Sequence, residues 1–183
     1  MIDSFMKAMN RTHIPDERIQ KTERHIRRTL KAAPFSFFSH SFRIEGPGFA
    51  AECVLDMFFE SGRIRSGPHT LEVRKKGLLS GLWELTDSPH TIAVAHKASI
   101  FTRSFQIQSG DVMLELSATS PFTRTMSLQG PGYDCTFTAD GPFTRRTTIT
   151  GIWQDDAVML FAFWLHTLML RRRSNSNASA QTG

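Results

Sequence analysis

The chain has 183 residues, 40% of them hydrophobic, a formal net charge of +5 and two cysteines, Cys53 and Cys135. That composition suits one domain with a sizeable core, and two distant cysteines exclude both a metal motif and a dense disulfide framework. The positive charge is uneven: residues 1–33 hold eight Lys/Arg against four acids, Arg171, Arg172 and Arg173 add three, and the stretch between holds eleven bases and thirteen acids. Basic ends on a mildly acidic body suit contact with an anionic surface, lipid headgroups or nucleic acid, or serve solubility alone.

The first residues, MIDSFMKAMN, lack the apolar stretch of a secretory signal, so a reducing, cytoplasmic setting with two inert thiols is expected. A single Cys53–Cys135 bridge is the alternative. Residues 1–34 are expected to form a basic helical extension. Within it, Pro15 to Lys31 predicts a helix, with Asp16 and Glu17 in the first turn and a thin apolar stripe of Ile19, Ile26 and Leu30. So polar a helix docks weakly and lacks the broad apolar face of a membrane-surface helix.

From Phe35 to Ile152 the grammar changes. Short runs such as HSFRIEG, HTLEVRKKG, TIAVAHKAS, VMLELSATSP and YDCTFTADGP alternate apolar and polar residues between turn signals. That pattern predicts about ten to twelve antiparallel strands in a sandwich or barrel. Asp155 and Asp156 then precede a run, Ala157–Leu170, that only His166 and Thr167 interrupt before the three arginines. Leu, Met, Ala and Phe favour helix, and acids before bases suit the helix dipole. Fourteen residues are short for a bilayer span, which needs about 20. A dozen strands leave a bore that a helix about 10–12 Å across can fill. The expectation is a barrel over 35–173 with a central helix over 155–171, Asp155 and Asp156 at one mouth and the arginines leaving by the other. A disordered tail would occupy 174–183. A C-terminal membrane anchor is the lower alternative.

Phe-Thr-Arg occurs three times, at Phe101–Arg103, Phe122–Arg124 and Phe143–Arg145, 21 residues apart. That interval fits one hairpin with its links, so each tripeptide opens a strand running in the same direction, at one end of the barrel. Alternation places each arginine on the side of the apolar residues that follow it. The arginines then either snorkel to the rim or ring a mouth, holding an anion or pairing with Asp155 and Asp156. Arg74, Lys75 and Lys76 form a compact basic turn, read either as an ordinary charged loop or as a phosphate contact.

No nucleotide loop, HExxH, CxxC or GxSxG motif is present, and the seven histidines are scattered. Glu72, Glu84 and Glu115 read as outward, solvated positions. The expectation is a non-enzyme without cofactor or metal. RNA binding is disfavoured because the basic residues are not interleaved with aromatic stacking platforms.

The stretches GLWELTDSPHTIAVAHKAS, RSFQIQSGDVMLELS, TMSLQGPGYDCTF and LFAFWLHTLMLRRR resemble the tubby C-terminal-like superfamily over residues 40–173. That group includes the tubby domain, the phospholipid scramblases and the LURP-one-related proteins. The resemblance is one of pattern, and Ser88-Pro89-His90 stands where a glycine-containing turn is more typical. It implies a many-stranded barrel around a buried C-terminal helix, and a lipid- or anion-binding module peripheral to a membrane. The candidate residues are Arg74, Lys75, Lys76, Arg103, Arg124, Arg145, Arg171, Arg172 and Arg173. No calcium site or palmitoylated cysteine cluster is matched, so scramblase activity is not implied. The rival expectation is a structural or protein-interaction barrel.

Overall fold

A computed structural model describes residues 26–36, 39–56, 58–77, 80–97, 102–120, 122–141 and 144–180, with backbone alone from 173 onward. Among these residues, twelve strands and one helix follow in chain order: β1 (Arg28–Pro34), β2 (Ser41–Gly46), β3 (Phe49–Leu55), β4 (Gly62–Ser66), β5 (His69–Lys75), β6 (Leu82–Asp87), β7 (His90–His96), β8 (Ser104–Ser109), β9 (Val112–Ala118), β10 (Met126–Gly130), β11 (Tyr133–Ala139), β12 (Thr147–Ile152) and α1 (Asp156–Ala180). Each strand pairs antiparallel with its sequence neighbours, and β1 closes the barrel against β12, with Leu30 opposite Ile149.

Alternation decides what faces inward. Phe42 and Ile44, Cys53 and Leu55, Leu71 and Val73, Trp83 and Leu85, Phe105 and Ile107 are all buried. The residues between them point outward, as the two-residue period of a strand requires. Helix α1 fills the bore: Val158 to Leu165 are completely buried on every side, and Phe163 packs edge-on against Phe42 with ring centroids 5.7 Å apart. An all-apolar helix is stable only where its whole circumference is covered.

The two ends of the barrel differ. At one, β2–β3, β4–β5, β6–β7, β8–β9 and β10–β11 join through two-residue turns. Gly110 (φ 56°) supplies the left-handed backbone in one of them. At the other end the six connections run 35–40, 56–61, 76–81, 97–103, 119–125 and 140–146. We call these ends the turn mouth and the loop mouth. Because β12 runs from loop mouth to turn mouth, α1 begins at the turn mouth and returns through the bore. The Asp155 carboxylate accepts hydrogen bonds from Ala157 N at 2.7 Å and Val158 N at 3.4 Å, capping the helix start. The Asp156 carboxylate accepts from Trp153 Nε1 at 2.7 Å and pairs with Arg28 at 2.8 Å, whose guanidinium lies 4.0 Å over the Trp153 ring.

Two boundaries differ from expectation. Residues 28–31 are not the end of a helix but part of β1, so the barrel starts at Arg28 and not at Phe35. Leu30 and Ala32 alternate inward, and pairing with β12 gives this segment ladder hydrogen bonds and a buried face that a thinly striped helix does not have. The remainder of the expected N-terminal helix, residues 15–25, lies outside the described residues. Helix α1 continues past 171 to Ala180, where a disordered tail is expected; Ser, Asn and Ala in this stretch include no Gly or Pro to stop it. Cys53 and Cys135 are free and buried. Burial, helped by Asp134 beside it, pushes the Cys135 thiol up to about 12. No helix among the described residues is long and apolar enough to cross a membrane.

Candidate anion-binding mouth

β8, β10 and β12 are alternate strands, and all three start at the loop mouth. Phe105, Met126 and Thr147 near their starts are buried and face inward. Arg103, Arg124 and Arg145 each lie two residues earlier, on the same side of the sheet, at the rim. Phe101 and Phe143 of the tripeptides lie outside the described residues.

Each arginine reaches toward the next connection around the rim. Arg103 Nη1 donates to the carbonyls of Ser120 at 3.3 Å and Thr123 at 2.8 Å. Arg124 Nη1 donates to the Gly141 carbonyl at 3.2 Å, and the Arg145 guanidinium lies 5.3 Å over the Phe42 ring. Burial holds Arg145 below the usual arginine value. The equivalent rim position after Pro34 is His40.

Between these loops and the end of the buried helix lies a cavity of about 240 Å³. Its lining combines polar groups, Arg124, Arg145, Arg171, His40 and Thr167, with apolar ones, Phe42, Leu55 and Leu170. Residues from five separate segments of the chain converge here because the helix emerges beside the β2 and β3 ends of the rim. Arg171 Nη1 also donates to the Asp56 carbonyl at 2.9 Å, which ties the helix exit to the 56–61 connection. A cavity lined by guanidinium groups together with aliphatic and aromatic groups suits an anion carrying an apolar part.

Below the rim, His166 is fully buried and stacks on Phe137 with centroids 5.7 Å apart. Neither of its ring nitrogens has a hydrogen-bond partner. Burial, aided by the positive charges of Arg124 and Arg103, pushes its pKa down to about 3. The imidazole is neutral at physiological pH and takes no part in charge balance at the mouth.

The other expected site residues gather elsewhere. Glu60 accepts from Arg172 Nε at 2.8 Å and Nη2 at 2.7 Å and pairs with Lys75 at 2.8 Å, while both cations lie over the Trp83 ring. Burial tends to raise the Glu60 carboxyl, but the hydrogen bonds and charges of Lys75 and Arg172 outweigh it and hold the group below its usual value. Arg74 pairs with Glu72, and Lys76 with Glu84 at 2.8 Å, so the basic turn behaves as a charged loop with a carboxylate for each base. The Arg173 side chain lies outside the described residues. An open groove of about 910 Å³ on the outer wall is lined by both signs, Glu52 and Glu72 with Arg63, Arg65 and Arg74, and so favours no charge. Asp155 and Asp156 do not meet the Phe-Thr-Arg arginines: they sit at the turn mouth, where Asp156 pairs with Arg28, because one helix cannot place its first turn at the mouth it leaves by.

Two features escape a reading built on Phe-Thr-Arg alone. One is the pairing of that rim with His40, Thr167 and the helix exit, which only the topology supplies. The other was within reach. Every loop-mouth connection carries a bulky apolar pair: Phe37-Phe38, Phe58-Phe59, Leu78-Leu79, Ile100-Phe101, Pro121-Phe122 and Pro142-Phe143. Their second members recur every 20 to 22 residues, so the three tripeptides belong to a sixfold beat. Degeneracy to Leu-Leu and loss of the arginine in the first three units hide it. No family model, curated protein or solved structure matches this chain.

Proposed function

We propose that this chain is a non-catalytic lipid-binding module of the tubby C-terminal-like kind, whose loop mouth holds the phosphate-bearing headgroup of an anionic lipid at a cytoplasmic membrane face. One observation carries the reading: Arg124, Arg145 and Arg171 line a single cavity together with Phe42, Leu55 and Leu170. Guanidinium groups grip phosphate oxygens in a planar, bidentate manner, and the apolar lining suits the glycerol and first acyl carbons behind a phosphate. A barrel of antiparallel strands around an apolar C-terminal helix is the architecture that the resemblance implies.

Flotation with phosphatidylcholine vesicles, with and without phosphatidylserine, tests the reading. Binding is expected only with the anionic lipid, falling as salt rises because headgroup attraction is screened. The double variant Arg124→Gln/Arg145→Gln is expected to lose about tenfold or more in affinity, since each basic contact with an anionic surface contributes about 1 kcal/mol. Equal, negligible binding to both vesicle types overturns it.

The carbonyl bonds from Arg103 and Arg124 to neighbouring loops favour a second reading, in which the arginines brace the rim of a structural or protein-interaction barrel. On that reading the double variant loses thermal stability and lipid plays no part.

A further inference from the structure

Phe58, Phe59 and Phe122 are 88%, 70% and 88% exposed, on two separate loop-mouth connections. Exposed phenylalanines forgo the stabilisation of burial, so their presence at loop tips calls for a covering phase. At the second Phe-Thr-Arg the apolar residue lies outside the cation: Phe122 precedes Arg124, which precedes inward-facing Met126. Moving outward from the bore, the layers are therefore buried core, arginine, apolar tip. A bilayer approached from water offers phosphates first and hydrocarbon beyond them, the same order that the rim is built to meet.

The shape of the rim excludes a narrow partner. Twelve strands about 4.8 Å apart and tilted by about 40° make a ring on the order of 24 Å across. A single docked helix is about 10–12 Å wide and cannot cover tips spread round such a ring. A planar, fluid apolar phase can. Charge agrees in balance: the loop-mouth connections hold Lys76, Lys97, Arg103, Arg124, Arg145 and Arg146 against Asp56, Glu60 and Asp140, whereas the turn mouth holds Asp87, Asp111, Asp134, Asp155 and Asp156 against Arg27 and Arg28. An anionic membrane attracts the first end and repels the second.

We infer that the barrel docks end-on, loop mouth toward the bilayer, with Phe58, Phe59 and Phe122 entering the acyl boundary while the rim arginines stay at phosphate level. This inference rests on the headgroup reading and adds to it an orientation and a depth.

Site-directed fluorescence separates the two. Single variants Phe58→Cys, Phe122→Cys and Asp111→Cys are labelled with an environment-sensitive nitrobenzoxadiazole maleimide; Cys53 and Cys135 are buried and do not compete. Each is mixed with phosphatidylserine-containing vesicles, with and without nitroxide on the lipid acyl chains, and the same samples are floated. The expected result is flotation of all three, with a blue shift, a severalfold rise in intensity and acyl-nitroxide quenching at positions 58 and 122 alone. Flotation with unchanged emission at both positions, or with the response at 111, overturns end-on insertion and leaves headgroup binding standing. No flotation overturns both. Phe122→Ser supplies a label-free check: about tenfold weaker partitioning with an unchanged melting temperature is expected, and unchanged partitioning counts against insertion.

Discussion

Two residues in the bore show how narrowly the packing is set. His166 is neutral and without a hydrogen-bond partner, with its pKa at about 3 in the folded chain against an ordinary value of 6.5. Between those two values the unfolded chain binds the proton and the folded chain does not. Stability is therefore lost as pH falls through this window, by up to about 1.4 kcal/mol per pH unit. The variant His166→Phe keeps the stack on Phe137 and removes both orphaned nitrogens. Urea denaturation at pH 7 and pH 5 is expected to show a drop in wild-type stability that exceeds the drop in the variant, with the variant the more stable at pH 7 by about 1–2 kcal/mol. Equal pH dependence would falsify the assignment. Gly62 makes the complementary point. A Cβ there would lie 2.1 Å from the Val54 carbonyl and 2.5 Å from Trp164 Nε1, the atom that donates to that same carbonyl at 3.2 Å. Gly62→Ala is expected to cost about 2–4 kcal/mol through displacement of Trp164, read as a lowered melting temperature.

At the scale of elements, β1 and α1 carry the closure. β1 bonds to β12 on one side and β2 on the other, so a chain beginning at Phe35 has two open strand edges, and Ile149 keeps Phe137 opposite it but loses Leu30. A truncation of residues 1–34 is expected to aggregate or fail to fold, whereas one ending before Ile26 retains β1 and is expected to remain a folded monomer in size-exclusion chromatography. If the shorter chain behaves like the longer, β1 is dispensable and the closure argument falls. Helix α1 is bound to both mouths, through Asp156 to Arg28 and through Arg171 and Arg172 to the 56–61 connection. The Arg172–Glu60–Lys75 cluster depends on an ionised carboxylate with a lowered pKa, so its contribution is present above the ordinary glutamate range and lost as pH falls through and below it.

For the whole molecule, the sixfold beat explains why the two ends differ. A unit of about 21 residues that returns through a short turn places every longer connection at the same mouth. Whatever each unit carries in that connection is repeated round the rim, so the arginines of the later units stand together at one mouth without any one unit forming a site. Much of this was legible in the chain. Alternation in HSFRIEG or VMLELSATSP fixes strand and face, and Phe-Thr-Arg fixes register, because these are local properties with a period of two or of one hairpin. The partners of the arginines were not legible. Arg171 lies beside Arg124 and Arg145 only because α1 turns back through the bore and leaves at their mouth, while Asp155 and Asp156 are carried to the far end by the same reversal. Arg28–Lys31 read as helix because their polar charge pattern suits one; the free edge of β12 draws them into a strand.

By itself, the sequence determined that this chain forms a many-stranded barrel around an apolar helix and that three arginines stand at one rim, since hydrophobic period and hairpin length are written locally. Only the tertiary structure decided where the barrel begins, which charges share a mouth and where a cavity remains, because closure of the ring and the return of the helix bring together residues whose contacts no local pattern encodes.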